Sequence, residues 1–241
     1  MSRQTLADTV FASLLESILS GDLQPRASLP AEAELAKTAD VSRLTVREAL
    51  KTLQAQNIVT VRRGLGTFVN PPEEWTGLEA ILRAAARGSG VDEVGLKILE
   101  VRRIMETGAA ELAARHATPE HLAAMEKAIA DLETAHDAGD LDAVTLADLA
   151  FHNVVFRASA NPFLPALLGQ LGQLLYVTRR ETSAFPEVQV HALEHHRLVL
   201  AAISTGDPEK ARMAMTDHIN QTYDDYARFI KAQESTTGDE S

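Results

Sequence analysis

The chain has 241 residues, with 23 Lys plus Arg against 34 Asp plus Glu and a formal net charge of −11. Its 45% hydrophobic and 24% charged residues, with 13 Gly and 9 Pro, exclude fibrous, low-complexity and wholly disordered classes. The absence of cysteine excludes disulfides, thiolate metal sites, iron–sulfur clusters and cysteine nucleophiles. No apolar run approaches the ~18 residues of a membrane span. The opening MSRQTLADTVFASLLES mixes acids among its apolar positions, unlike a secretory leader, so the expected compartment is the cytoplasm with no membrane partner.

Charge is divided unevenly along the chain. Residues 1–70 hold eight basic and seven acidic side chains, a balance of +1, and the remainder carries −12. A near-neutral front joined to an acidic back predicts two units with different partners. The seam falls at Asn70-Pro71-Pro72-Glu73-Glu74, where two prolines stop both helix and central strand. The expected organisation is a DNA-binding unit over 1–70, a linker over 71–76, an all-helical unit over 77–232 and a disordered tail over 233–241.

In the front unit, Ala7, Val10, Phe11, Leu14 and Ile18 recur at helical spacing before Gly21. Leu29-Pro30 opens a short second helix that breaks at Asp40-Val41. Ser42 is placed to cap a third helix over Arg43–Gln56, with Val46, Ala49, Leu50 and Leu53 on one face. Arg43, Arg47 and Lys51 fall at i, i+4 and i+8 on another face. Asn57 stands where the helix must stop, and asparagine tolerates a left-handed cap. Two β-rich runs, Ile58–Arg62 and Thr67–Asn70, flank Arg63-Gly64-Leu65-Gly66 and predict a hairpin.

Three helices and a hairpin make a winged helix-turn-helix, in which the start of the third helix enters the major groove. Arg43 and Arg47 are then set to pair with guanine edges, and Arg62 and Arg63 of the wing to reach phosphate or the minor groove. A basic stripe by itself is more often just a solvated face. The coincidence of serine cap, arginine spacing and basic glycine hairpin favours DNA binding.

The runs Ser20-Gly21-Asp22-Leu23-Gln24-Pro25, Leu29-Pro30-Ala31-Glu32, Val41 to Leu50 and Gly64 to Val69 resemble the DNA-binding domain of GntR-family transcription regulators. The resemblance implies that Ser42, Arg43, Thr45, Arg47, Arg63 and Gly64 contact operator DNA. Three positions depart from the pattern. Arg26 stands where the family has the glycine of a Pro-Gly turn, Ala31 replaces a serine cap, and Ala33 replaces a basic residue that reaches DNA.

The back unit shows no strand alternation. Helical patterns run over Trp75–Arg87, Val94–Ala117, Leu141–Ser159 and Glu187–Thr205. Three more helices open at Thr118-Pro119, Asn161-Pro162 and Asp207-Pro208, where a capping side chain precedes proline. The fold class is mainly α, with a helical bundle of about seven helices after the wing.

Histidine placement carries the chemistry. Asp148 and His152 are i, i+4 and leave one helix face together, which alone is a weak metal signal. His196 and His218 lie in apolar helical patterns, where a single histidine is usually a satisfied core residue. His116, His121, His136, His191 and His195 have no partner at ligand spacing and are expected to serve packing or helix ends.

Residues 95–225 are similar to the FCD ligand-binding domain of the FadR-type branch of GntR regulators. The similarity lies in Asp148-Leu-Ala-Phe151-His152, Asn161-Pro162, Glu194-His-His196-Arg197 and Met215-x2-His218. The resemblance implies a divalent metal, zinc or nickel, on Asp148, His152, His196 and His218, a donor set suited to such ions. Coordination needs neutral imidazole, so binding is expected to weaken below about pH 6.

Arg102 and Glu106, i, i+4 in Leu99-Glu-Val-Arg102-Arg103-Ile-Met-Glu106, also match. Arg102 is a candidate effector anchor, with a plain intrahelical ion pair as the alternative and Arg103 as the alternative inward residue. The expected protein is a homodimeric, ligand-responsive repressor that binds a palindromic operator and senses a small carboxylate; it is not an enzyme. Two other readings stand beside it: a metal-free regulator whose histidines are structural, and a metal-dependent hydrolase or isomerase with a DNA-binding head. The sequence offers no HExxH and no general base for the latter.

Overall fold

The computed structural model describes residues 5–230, so the tail expected at 233–241 and the last residues of the expected helical unit lie outside the described residues. The chain divides into two compact units, Met1–Val94 and Gly95–Ser241.

In the first unit, α1 (Leu6–Leu19) starts at a capping box between Thr5 and Asp8. The short α2 (Glu32–Thr38) has Ala31 at its N-cap and no side-chain cap bond. α3 (Arg43–Ala55) starts at Ser42, whose hydroxyl accepts from the Thr45 amide at 3.1 Å. Asn57, just beyond, takes φ +55°, the left-handed conformation expected of it. Strands β1 (Val59–Arg62) and β2 (Gly66–Val69) pair antiparallel, with Val59 opposite Val69 and Arg62 opposite Gly66. Arg26 adopts φ +70°, which explains the family's glycine there, since a side chain in this region costs roughly 1–2 kcal/mol.

The core of this unit gathers Val10, Leu14, Leu15, Ile18, Val46, Leu50, Leu53, Ile58 and Val69, closed by Trp75. The Trp75 indole donates to the Asn70 carbonyl at 2.9 Å. After a 3-10 turn at Pro72–Glu74 comes α4 (Leu78–Ser89), which packs on α1. Its Arg83 pairs with Glu16 at 2.7 Å, and Arg87 also pairs with Glu16. The sequence reading placed this helix in the back unit, after a 71–76 linker; the structure groups it with the head instead. The two ion pairs to Glu16 are long-range in sequence, so periodicity does not reveal them.

The second unit holds α5 (Val91–His116), most of which lies in it, α6 (Pro119–Ala138), α7 (Leu141–Ala158), α8 (Phe163–Thr182), α9 (Pro186–Ser204) and α10 (Pro208–Asp225). Thr118 and Asp207 cap α6 and α10 as expected, with proline at the first helical positions. α8 begins one residue later than predicted, and Asn161 Oδ1 accepts from the Phe163 amide at 3.0 Å. α6 packs against α7 and α9, α7 against α8, and α9 against α10. Met125, Leu132, Phe151, Phe156, Ile203, Met215 and Ile219 fill the interior. The helix faces that supply this apolar core also carry the polar cluster described next.

Candidate metal centre and DNA-reading surface

α7 presents Asp148 and His152 one turn apart, α9 brings His196, and α10 brings His218. All four are buried. His152 Nε2 lies 3.2 Å from His196 Nε2 and 3.3 Å from His218 Nε2. Asp148 Oδ1 lies 3.3 Å from His196 Nε2 and 3.8 Å from His152 Nε2. The donor nitrogens of the three histidines all lie within 4.8 Å of one another, a group that could hold a metal ion, and Asp148 reaches two of them; ligands on a tetrahedral zinc stand roughly 3.3 Å apart.

The rings are fixed from outside. His196 stacks on Phe151 with centroids 4.0 Å apart and planes at 15°. His152 Nδ1 lies 2.7 Å from Glu106 Oε2 on α5, which favours the tautomer with Nδ1 protonated and the Nε2 lone pair facing inward.

Electrostatics keep these side chains in forms that can bind a metal ion. Burial disfavours charged imidazole and pulls His196 down to about 3. It also lowers His152, helped by the Arg179 charge, and His218, helped by the other two histidines. Burial acts in the opposite sense on Asp148, but the Arg179 guanidinium, with His152 and His196, outweighs it and holds the carboxyl at about 2. Glu106 is likewise held well below its usual range, its burial outweighed by Arg102, His152 and Arg179. The cluster is therefore an ionised carboxylate among neutral imidazoles, the state coordination requires.

Two buried guanidinia adjoin it. Arg102 Nε donates to Glu106 Oε1 at 2.8 Å, and Arg179 Nη2 donates to the same oxygen at 3.1 Å. Arg179 Nη1 donates to Asp148 Oδ2. Arg102 is buried whereas Arg103 is exposed, so Arg102 is the inward residue. The intrahelical Arg102–Glu106 pair exists as well, yet Arg102 Nη2 remains buried without a partner, as does Arg179 Nε.

Four of the remaining histidines serve packing, helix ends or the surface. His121 completes the α6 capping box, His136 Nδ1 meets Gln189 Oε1 at 2.6 Å, His191 meets Asp225 at 3.0 Å, and His116 is exposed. His195 sits with its ring 5.9 Å from that of His218 and its Nδ1 buried without a hydrogen bond.

In the head, Ser42, Arg43 and Arg47 are exposed at the start of α3, with Thr45 half-buried beside them. Ser42 and Thr45 hydroxyls lie 2.9 Å apart. Arg47 Nε donates to Glu32 Oε2 of α2 at 2.7 Å, which ties α3 to its neighbour. In the wing, Arg62, Arg63 and Gly64 are exposed, and Gly64 takes φ +77° at the hairpin tip. Arg62 lies over the Phe68 ring, 4.7 Å from its centroid. Ala33 is exposed on α2 and supplies no charge there.

Residues 6–69 match the family described as bacterial regulatory proteins, gntR family, and residues 97–221 match the FCD domain. The HTH-type transcriptional regulator LutR of Bacillus subtilis is 32% identical over 213 residues, spanning 86% of this chain and 94% of that protein. The galactonate operon transcriptional repressor of Escherichia coli is 28% identical, spanning 86% and 90%.

The chain belongs to the GntR family.

Its pairing of a gntR-type head with an FCD domain places it in the FadR-type branch, as a DNA-binding transcription regulator. Among solved structures, a Streptococcus agalactiae GntR protein is 30% identical with TM-score 0.51, covering 90% of this chain and 98% of that one. A Listeria monocytogenes protein that controls expression of the agr system shares the fold at TM-score 0.63 and 21% identity, covering 95% and 100%. No helix among the described residues is long and apolar enough to cross a membrane.

Arg179, which joins the candidate site through Asp148 and Glu106, is a residue of this GntR protein that sequence reasoning missed. Arg179-Arg180 sits in the last turn of α8, where basic residues commonly complement the helix dipole. Only the tertiary fold turns Arg179 onto Asp148 and leaves Arg180 outside, paired with Asp142 at 2.7 Å.

Proposed function

We propose that this regulator is a homodimeric repressor that binds a palindromic operator and releases it when a small carboxylate enters a metal-containing site in the FCD domain. The convergence of three neutral Nε2 atoms and an ionised carboxylate in a buried site carries this reading. His152, His196, His218 and Asp148 would hold zinc or nickel, and the ion would add positive charge that attracts an anionic effector. Arg102, with a buried N–H unpaired, is positioned to bind a carboxylate.

The head reads DNA through Ser42, Arg43, Thr45 and Arg47 at the start of α3, and through Arg62, Arg63 and Gly64 of the wing. The acidic remainder of the chain repels phosphate and stays off the duplex. The E. coli relative's description as a repressor of the galactonate operon supports repression and an organic-acid signal. The effector acts by binding one of two arrangements of the protein more tightly than the other. Such a regulator works in the cytoplasm, where the chromosome is.

The test combines metal analysis with operator binding. Purified chain supplied with zinc or nickel is expected to retain about one ion per subunit, to sediment as a dimer, and to release operator DNA on titration with small carboxylates. A chain that holds no metal yet still responds to carboxylates would replace this reading with the metal-free one. A monomer both free and on DNA would remove the palindromic assignment.

A further inference from the structure

We infer that Arg179 and Arg102 form a paired-guanidinium site that selects an effector with two carboxylates, one of them held between the two arginines. This rests on the metal-and-carboxylate reading above and deepens it by naming the effector's charge class.

The first support is unused hydrogen-bonding capacity. Both side chains are nearly sealed from solvent, Arg102 at 5% exposure and Arg179 at 4%. They share one acceptor, Glu106 Oε1, at 2.8 and 3.1 Å, which brings the guanidinia together although they come from α5 and α8. Each keeps one buried N–H-bearing atom without a partner, Nη2 of Arg102 and Nε of Arg179. Buried donors are nearly always paired in native structures, so these two guanidinia, which share one acceptor, keep unused donor capacity that an anionic group can take up.

The second support is charge. Arg102 and Arg179 are paired with Glu106 and Asp148, so these four side chains leave no net negative charge to offset a divalent ion. A divalent ion then leaves the buried site with an excess of two positive charges. Uncompensated buried charge is strongly unfavourable, so the ligand that fits best brings two negative charges. A monocarboxylate leaves one positive charge unpaired.

The experiment uses the full-length chain with zinc at saturating concentration, verified by metal content. Isothermal titration compares oxalate, malonate, succinate and glutarate with acetate, propionate and lactate. At least one dicarboxylate is expected to bind ten-fold or more tightly than every monocarboxylate tested. In Arg179→Gln and Arg102→Gln, held at zinc saturation, the ratio between that dicarboxylate and its monocarboxylate counterpart should fall to about three or less. Arg179→Lys, which keeps charge but loses the planar fork, should fall between the two.

Lactate or another monocarboxylate binding as tightly as every dicarboxylate would overturn the inference while leaving the metal-and-carboxylate reading intact. A preserved ratio in Arg179→Gln would do the same. No zinc uptake, or no response to any carboxylate, would overturn both. Should the Arg179 variants fail to fold, the wild-type ratio decides alone.

Discussion

Glu106 Oε2 lies 2.7 Å from His152 Nδ1, while Oε1 of the same carboxylate holds Arg102 and Arg179. One buried carboxylate on α5 thus orients a metal-ligand candidate and both guanidinia. Partners of this kind, behind a ligating histidine, typically contribute 10–100-fold to metal affinity. Glu106→Gln is expected to weaken zinc binding by about that factor, read by competition with a chromophoric chelator at pH 7. Unchanged affinity would mean that the contact does not orient His152.

The histidine pKa values set a pH response different from the sequence expectation. Solution-like imidazoles would compete with metal below about pH 6. Burial instead holds His196 at about 3 and also lowers His152 and His218, so the folded apo site is already deprotonated at pH 6. Zinc affinity at pH 6 is expected to lie within about two-fold of that at pH 7, because few protons must be displaced. A ten-fold loss over that interval, measured by calorimetry, would show the imidazoles to be protonated.

Stability of the metal-free protein follows the opposite limb of the same shifts. A histidine with a lowered folded pKa lets the unfolded chain take up protons that the native state refuses. His196 therefore costs no stability above its ordinary value of 6.5, and stability is lost as pH falls from there toward about 3. Asp148 adds stability above its ordinary 3.8 that disappears toward about 2. Metal-free protein is expected to show a falling urea midpoint below about pH 6.5, and zinc is expected to raise the midpoint at every pH without flattening that fall.

Local chemistry made the head legible from sequence. Ser42, Asn57 and the glycines of the hairpin each mark an element end by a mechanism that acts within a few residues. The candidate site was half legible. Asp148 and His152 announce themselves by spacing, but His196 and His218 look like core histidines until α9 and α10 pack beside α7. Arg179 and the attachment of α4 to Glu16 were hidden for the same reason. Each depends on a side chain 31 to 71 positions away, which no periodic pattern encodes.

The Arg47–Glu32 pair gives the DNA surface its own prediction. Glu32 takes Nε, while the Arg47 side chain stays 60% exposed. Arg43→Ala and Arg47→Ala should each cost about 1–3 kcal/mol of operator affinity and relax base preference. Arg62→Ala should instead weaken all sequences alike and reduce the salt slope by about 1. Equal operator affinity of wild type and the Arg43/Arg47 double variant, by fluorescence anisotropy, would remove α3 as the reading helix.

The uncapped start of α2 offers a gain in stability. Ala31 holds φ −61° and ψ 148°, an extended N-cap conformation, but its methyl group cannot accept from the first-turn amides. Glu34 stands three residues on, so Ala31→Ser would create a Ser-x-x-Glu capping box with no change of backbone. The serine hydroxyl would share the Glu34 amide, which already donates to the Ala31 carbonyl at 2.8 Å, and the Glu34 carboxylate would take the amide of residue 31. Capping substitutions of this kind change stability by about 0.5–2 kcal/mol. Trp75, the single tryptophan of the chain, is buried in the core of the same unit and reports its unfolding. Ala31→Ser is therefore expected to raise the urea midpoint followed by Trp75 fluorescence, with the slope unchanged. A midpoint equal to or below that of wild type would show that α2 is held by its packing on α3 and gains nothing from a cap.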